Sequence, residues 1–307
     1  MSRRVPAALT ALLTAGLAAS VLAGCAPADD ERPLVVVSTN ILGDVVDRLV
    51  GDDVEVMTLM RPDADPHSFE ISAQDAARLR TADLLVSNGL GLEEGLQQHI
   101  DAAVAEGVDS FVAGEAIAVL AYASGDAAGT PDPHFWTDPG RMIDVVEALA
   151  PRLSALSGVD AGGIDAHVDA YLAELAALED DMTTAFETIP AERRALVTNH
   201  HVFGYLAERF GFRIVGAAIP GGTTLAAPSA ADLADLVTAI EENDVPAVFA
   251  ESSSPDRLMQ ALAAETDTHV EVVELYTESL TASGGGAEDY LTMMRENTQR
   301  IATGLTR

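Results

Sequence analysis

The stretch IDAHVDAYLAELAALEDDMTTAFE (164–187) decides the fold. Ile164, Val168, Tyr171, Leu172, Leu175, Leu178, Met182 and Phe186 recur at spacings of mostly three and four, with charges on the opposite face, the repeat of a helix that buries one stripe. The spacing predicts one long helix from about Asp160 to Thr188, ending before Pro190, which disfavours helical geometry in the residue ahead of it. Outward on both sides, short β-branched runs alternate with amphipathic stretches, the pattern of βα units and a mainly parallel sheet. Before the long helix, strands are expected at 34–38, 54–59 and 83–87, with helices at 41–50, 72–79 and 93–104. After it, strands are expected at 195–198, 213–218, 247–250 and 270–275, with helices at 201–210, 229–242, 255–265 and about 287–304. The fold class read from this order is α/β: an N-terminal lobe (34–158) and a C-terminal lobe (190–307), joined by one rigid helix (159–189). Ligands of open α/β sheets sit outside the carboxyl ends of the strands, so the ligand is expected in the cleft between the lobes.

The N-terminus reads differently. Arg3 and Arg4 precede the apolar run AALTALLTAGLAASVLA (7–23), which ends in Leu22-Ala23-Gly24-Cys25. This resembles a bacterial lipoprotein signal over 1–24, in which Cys25, the single cysteine of the chain, receives a lipid and becomes the first mature residue. An uncleaved membrane anchor is the alternative, since the run is close to the ~20 residues that span a bilayer. Either reading leaves an extracytoplasmic domain tethered to a membrane by the polar, proline-containing residues 25–33. One cysteine also excludes an internal disulfide framework.

The 307 residues carry 17 basic side chains, all arginine, against 49 acidic ones, a formal charge of −32. Nucleic acid is excluded as a partner, because binding a polyanion needs clustered basic residues. With 48% apolar residues the chain is nevertheless globular rather than disordered. Aromatic residues amount to 5%, with one tryptophan, Trp136, which gives little support to a cleft for an organic solute.

Seven histidines are present, in unequal settings. His67 and His134 each end the tripeptide Asp-Pro-His (65–67 and 132–134). Proline stiffens the approach to both, which suits metal ligation, where donor placement decides affinity. His200 and His201 follow a predicted strand and open a predicted helix; neighbouring helix positions point about 100° apart, so at most one reaches a given site. His99, His167 and His269 read as surface histidines. Among the carboxylates, Glu251 ends the strand AVFAE and Glu278 follows the strand before LYTES, both where a cleft ligand is expected.

The segments PDADPHSFE (62–70), ADLLVSNGLGLEEGL (82–96), DPHFWTDP (132–139), NHHVFGYLAERFGF (199–212), VFAESSSP (248–255), LYTESL (275–280) and GAEDYLTMMRENTQRI (286–301) resemble the zinc- and manganese-binding solute-binding proteins of bacterial ABC transporters. The resemblance spans essentially the whole mature chain. It implies a monomeric, lipid-anchored receptor that does no chemistry, holds one metal ion between its lobes, and delivers it to an ABC permease and its ATPase. The implied ligands are His67 and His134 from the first lobe, with His200 and a carboxylate from the second. In the family's H-D-A-F-G-Y pattern the first residue is the ligand, which favours His200 over His201. The fourth ligand is usually the Asp of a sequence like LYSDSL; here Glu278 stands there, one methylene longer. Glu251 matches a family glutamate near the site and is the reserve ligand, or the group that orients a ligand histidine.

Three imidazoles and a carboxylate suit Zn²⁺, whereas Mn²⁺, the alternative ion, prefers oxygen donors. The His-rich loop that many zinc members carry before the second Asp-Pro-His is absent from 121–134. Two further readings share the residues: a zinc-dependent hydrolase with Glu251 as general base, opposed by the absence of HExxH, and a metal-dependent surface adhesin.

Overall fold

The computed structural model describes residues 32–306 apart from 124, 126 and 220. The signal over 1–24, Cys25 and most of the 25–33 tether lie outside the described residues. Among the described residues, no helix is long and apolar enough to cross a membrane.

The first half of the chain runs β1 (Leu34–Val37), α1 (Asn40–Val50), β2 (Glu55–Thr58), α2 (Ala73–Leu79), β3 (Leu84–Ser87), α3 (Gln97–Ala105), β4 (Ser110–Val112) and α4 (Pro139–Ser154). The long helix, α5, spans Ala161–Glu187. Then follow β5 (Ala195–Thr198), α6 (Gly204–Phe210), β6 (Arg213–Ala217), α7 (Ala230–Glu242), β7 (Ala247–Glu251), α8 (Arg257–Ala264), β8 (Glu271–Leu275) and α9 (Tyr290–Thr306). The strands form two four-stranded sheets, ordered β2-β1-β3-β4 and β6-β5-β7-β8, and every strand pairing in them is parallel. The order reverses beside β1 in one sheet and beside β5 in the other. Ligand crevices are expected at the carboxyl ends of those strands.

Alternation within β1 shows how each sheet is covered on both faces. Val35 and Val37 point into a core shared with α5 and with Leu196, Phe249 and Leu275 of the second sheet. Val36, between them, faces a separate core with Leu79, Leu85 and Ile100 under α2 and α3. A third core fills the outer face of the second sheet under α7 and α8, around Val248, Ile240 and Met259.

Asp160 caps α5 by accepting from Gly162 N–H, and Ile164, Val168, Tyr171, Leu175, Leu178, Met182 and Phe186 are its buried stripe. That stripe does more than join two lobes: α5 packs along α1, α4 and α9. Its C-terminal end is pinned by Phe186, edge-on to Phe210 and Phe212 at centroid distances of 5.2 and 4.9 Å.

Three local expectations are corrected. The helix expected over 93–104 begins at Gln97, because Glu93 turns back into the loop before it. The helix expected over 201–210 begins at Gly204, so His200 and His201 lie on the loop after β5. The closing helix begins at Tyr290 rather than near 287. Strand β4 and helix α4 lie outside those expectations: β4 has only three residues, too few for a periodic signal, and α4 contains Pro139 and Pro151. Pro139 stands in the first turn, where proline lacks nothing the helix needs, behind the cap Asp138.

Candidate metal centre

Loops at the carboxyl ends of both sheets bring His67, His134, His200 and Glu278 together, with one donor atom of each within 4.8 Å of the others. His67 comes from the turn after β2, His134 from the segment before α4, His200 from the loop after β5, and Glu278 from the connection between β8 and α9. All four are buried, none more than 2% exposed. Glu278 Oε1 lies 3.0 Å from His67 Nε2, 3.1 Å from His200 Nε2 and 3.3 Å from His134 Nε2. His67 Nε2 and His134 Nε2 are 3.4 Å apart. The three ring centroids form a near-equilateral triangle with sides of 5.3, 5.5 and 5.7 Å.

Local sequence explains each placement. In both Asp-Pro-His turns the aspartate bends back onto the histidine two residues on: Asp65 Oδ1 accepts from His67 N–H at 2.8 Å, and Asp132 Oδ1 from His134 N–H at 3.0 Å. Such Asx turns hold a loop without helix or sheet. The second turn is also held from below. Asn88 Nδ2 donates to Pro133 O at 3.1 Å, and Asn88 is itself fixed by Glu93, which accepts from Asn88 N–H at 2.6 Å, Gly89 N–H at 3.1 Å and Ser38 Oγ at 2.7 Å. The Asn-Gly-Leu-Gly turn that allows this has positive φ at Gly89, Leu90 and Gly91. At α6, a Cβ on Gly204 would stand 2.5 Å from Asp132 Oδ2, so the Phe-Gly of the His200 loop makes room for the carboxylate behind His134.

The carboxylates behind the rings set their tautomers. His134 Nδ1 is 2.7 Å from Asp132 Oδ1; a carboxylate accepts, so Nδ1 carries a proton, and loss of the Nε2 proton would leave that nitrogen's lone pair for an ion. His200 Nδ1 lies 3.0 Å from Glu251 Oε2, out of line for a full hydrogen bond, so Glu251 acts on this ring mainly through charge. Asn199 Nδ2 steadies Glu251 with a 2.6 Å hydrogen bond to Oε1. Glu251 is therefore placed behind His200 and not in the donor cluster.

Burial is the largest influence on these groups and opposes charge on each, yet neighbours override it. Glu278 is held well below the usual carboxylate range by the charge of His200 and by hydrogen bonds from the three imidazoles. His200 is raised well above its ordinary value by Glu278 and Glu251, and His134 is raised by Asp132 and Glu278. His201 behaves oppositely: burial and the charge of His200 lower it. His201 is half-buried beside Tyr122, at a ring distance of 6.2 Å, and outside the cluster. His99, His167 and His269 are exposed.

Sequence reading missed several residues that hold the centre. Asp132 was legible only as the first letter of a stiff tripeptide, and Asn88 and Glu93 only as part of a motif. Tyr122, whose Oη lies 3.2 Å from His134 Nδ1 and donates to Gly222 O at 3.1 Å, left no sequence signal. Trp136, legible only as part of the DPHFWTDP segment, donates from Nε1 to Thr277 O at 2.8 Å.

Known proteins share this arrangement of chain. The chain is 27% identical over 305 residues to the manganese ABC transporter substrate-binding lipoprotein PsaA of Streptococcus pneumoniae, covering 98% of this chain and 97% of that protein. It is 31% identical over 284 residues to the zinc-binding protein TroA of Treponema pallidum, covering 91% of each. The solved structure of the periplasmic zinc binding protein TroA from Treponema pallidum superposes with a TM-score of 0.81 at 29% identity, over 90% of this chain and 100% of that one. A family model described as zinc-uptake complex component A, periplasmic, matches residues 35–304, and the chain belongs to that family.

Proposed function

We propose that this chain captures Zn²⁺ outside the cytoplasm and hands it to an ABC importer, with His67, His134, His200 and Glu278 as its ligands. At the coarser level, its family consists of metal-binding, substrate-binding components of ABC transporters, receptors and not enzymes, which removes the hydrolase reading. The permease and ATPase of such a transporter are its partners.

The observation that carries the metal-site reading is the closeness of Glu278 Oε1 to all three Nε2 atoms, at 3.0 to 3.3 Å. A tetrahedral ion about 2.0–2.1 Å from each donor separates its donors by about 3.3–3.4 Å. Three imidazoles and one carboxylate also match zinc better than manganese, which prefers oxygen. Asp132, by accepting from Nδ1, favours the form of His134 that leaves Nε2 for the ion, and Glu251 favours the same form of His200 through its charge. The receptor works as a monomer with lobes 34–158 and 190–307 and link 159–189, anchored by a lipid on Cys25; the Leu22-Ala23-Gly24-Cys25 stretch supports the anchor.

Native mass spectrometry of the protein offered Zn²⁺ and Mn²⁺ together tests the ion, and titration against a chelator tests the ligands. One Zn²⁺ bound in preference to Mn²⁺ is expected. His67→Ala and His134→Ala are expected to weaken binding by orders of magnitude, while His167→Ala, on the exposed face of α5, leaves it unchanged. Preferential retention of Mn²⁺ would overturn the choice of ion, and equal affinity in the three variants would overturn the site.

A further inference from the structure

The two Asp-Pro-His turns share a backbone pattern but differ in what their aspartates do next. In the second turn Asp132 Oδ1 accepts the His134 backbone N–H and also lies 2.7 Å from His134 Nδ1. In the first, Asp65 Oδ1 accepts the His67 backbone N–H, but Oδ2 is engaged by Thr224 Oγ1 at 2.6 Å, from the loop after β6. His67 Nδ1, buried with the rest of its ring, has no hydrogen-bond partner among the described residues. The three imidazoles are thus unequal: His134 and His200 have carboxylates behind them and His67 has none. A carboxylate behind a metal-bound histidine fixes the ring and raises its basicity, and its loss typically costs 10–100-fold in affinity.

We propose that Thr224 is a positioning residue for the bound ion: by holding the Asp65 carboxylate it keeps His67 the least supported imidazole donor, and so the first to let the ion go. This rests on the reading of the cluster as a zinc site. Its physical basis is an accounting of partners. If Thr224 loses its hydroxyl, a half-buried Asp65 oxygen and a buried Nδ1–H are both unpaired, and the geometry of Asp132 shows that an aspartate in this turn can reach its own histidine's Nδ1. Pairing the two groups satisfies both.

The experiment compares Zn²⁺ release into excess EDTA by the full chain and by Thr224→Val, Thr224→Ser, Asp65→Asn and the Asp65→Asn/Thr224→Val double variant. Thr224→Val is expected to release zinc about tenfold more slowly and to bind it correspondingly tighter, the low end of the effect of such a carboxylate. Thr224→Ser is expected to match the native chain. Asp65→Asn, whose amide oxygen can still accept the His67 backbone N–H, is the reference for the double variant, which is expected to release zinc at the Asp65→Asn rate with the gain abolished. In ¹⁵N–¹H spectra of the zinc-loaded protein, His67 Nδ1–H should become hydrogen-bonded only in Thr224→Val, a change that loss of a merely structural contact would not produce. Unchanged or faster release in Thr224→Val would overturn the proposal. Running the assay with Mn²⁺ keeps the two readings apart: tighter holding of Mn²⁺ overturns the zinc assignment, whereas the ratio of Thr224→Val to native release, for whichever ion is held, decides the role of Thr224.

Discussion

Asp132 and Glu251 lie behind the clustered rings, against Nδ1 of His134 and of His200, at 2.7 and 3.0 Å. Asp132→Asn and Glu251→Gln are therefore expected to weaken Zn²⁺ binding by about 10–100-fold without removing a ligand, measured by competition with a chromogenic chelator. The in-line 2.7 Å contact of Asp132 makes its substitution the more severe. Protons and the ion compete for the same lone pairs, and the signs of the shifts separate their effects. His134 and His200 are raised in the folded, metal-free protein, so their contribution to stability is complete below the unfolded value of about 6.5 and is lost as pH rises through the raised folded values. Glu278 is depressed, so its contribution is present above an unfolded value of about 4.3 and fades only in stronger acid. From pH 8 to pH 6 the Tm of the metal-free protein is expected to rise while the increment added by Zn²⁺ shrinks; calorimetry at both pH values checks this, and parallel changes would contradict it.

At the scale of elements, the connection between β8 and α9 departs from a simple two-lobed division. Glu278 belongs by chain order to the second lobe, but its neighbours are tied to the first. Trp136 holds Thr277 O; Asn40 donates to Ser279 Oγ at 2.8 Å and accepts from Leu280 N–H at 3.0 Å; and Asp63 N–H donates to Leu280 O at 3.0 Å. Further on, Tyr290 N–H donates to Asp44 and Tyr290 Oη to Trp136 O. Asn40→Ala is expected to destabilise the protein by about 1–3 kcal/mol, because it strands buried polar groups, and also to weaken Zn²⁺ binding although Asn40 is no ligand. Denaturant unfolding together with metal titration checks both halves. Helix α5 provides the contrast. Leu178→Ala, fully buried on its stripe but remote in chain order from every donor, is expected to cost about 2–5 kcal/mol while the donor set, followed by the Co²⁺ absorption spectrum, is unchanged.

Over the whole molecule, the charge of −32 is a diffuse field, since Glu278 alone among the acids is assigned to the ion and Asp132 and Glu251 to its histidines. Exposed charges are screened beyond roughly 8–10 Å at physiological salt, and such a field acts on encounter more than on the bound state. Raising ionic strength from about 20 to 500 mM is expected to slow Zn²⁺ association several-fold and leave its dissociation rate almost unchanged. Stopped-flow measurement of both rates checks this; an equal effect on dissociation would place exposed acids against the ion. The core that runs unbroken from β1 through α5 to β7 and β8 makes the two sheets one packed body, which favours local rearrangement of the loops around the centre over wide swinging of lobes.

The α/β class, the long helix and three of the four clustered side chains were legible in the sequence for one reason: each depends on short-range order. A period near 3.6 marks α5, β-branched runs mark the strands, and a proline directly after an aspartate marks the turns of His67 and His134. The strand end before His200 was equally visible, although its helical setting was misread because Gly204, not His201, begins α6. What tertiary structure alone decided lies between residues far apart in the chain. It chose Glu278 over Glu251 as the carboxylate in the cluster, put Glu251 behind His200, and gave Asp65 to Thr224. Hydrogen bonds and Coulomb contacts of this kind are satisfied by any group brought within about 3 Å, so no local pattern announces which group the fold will bring.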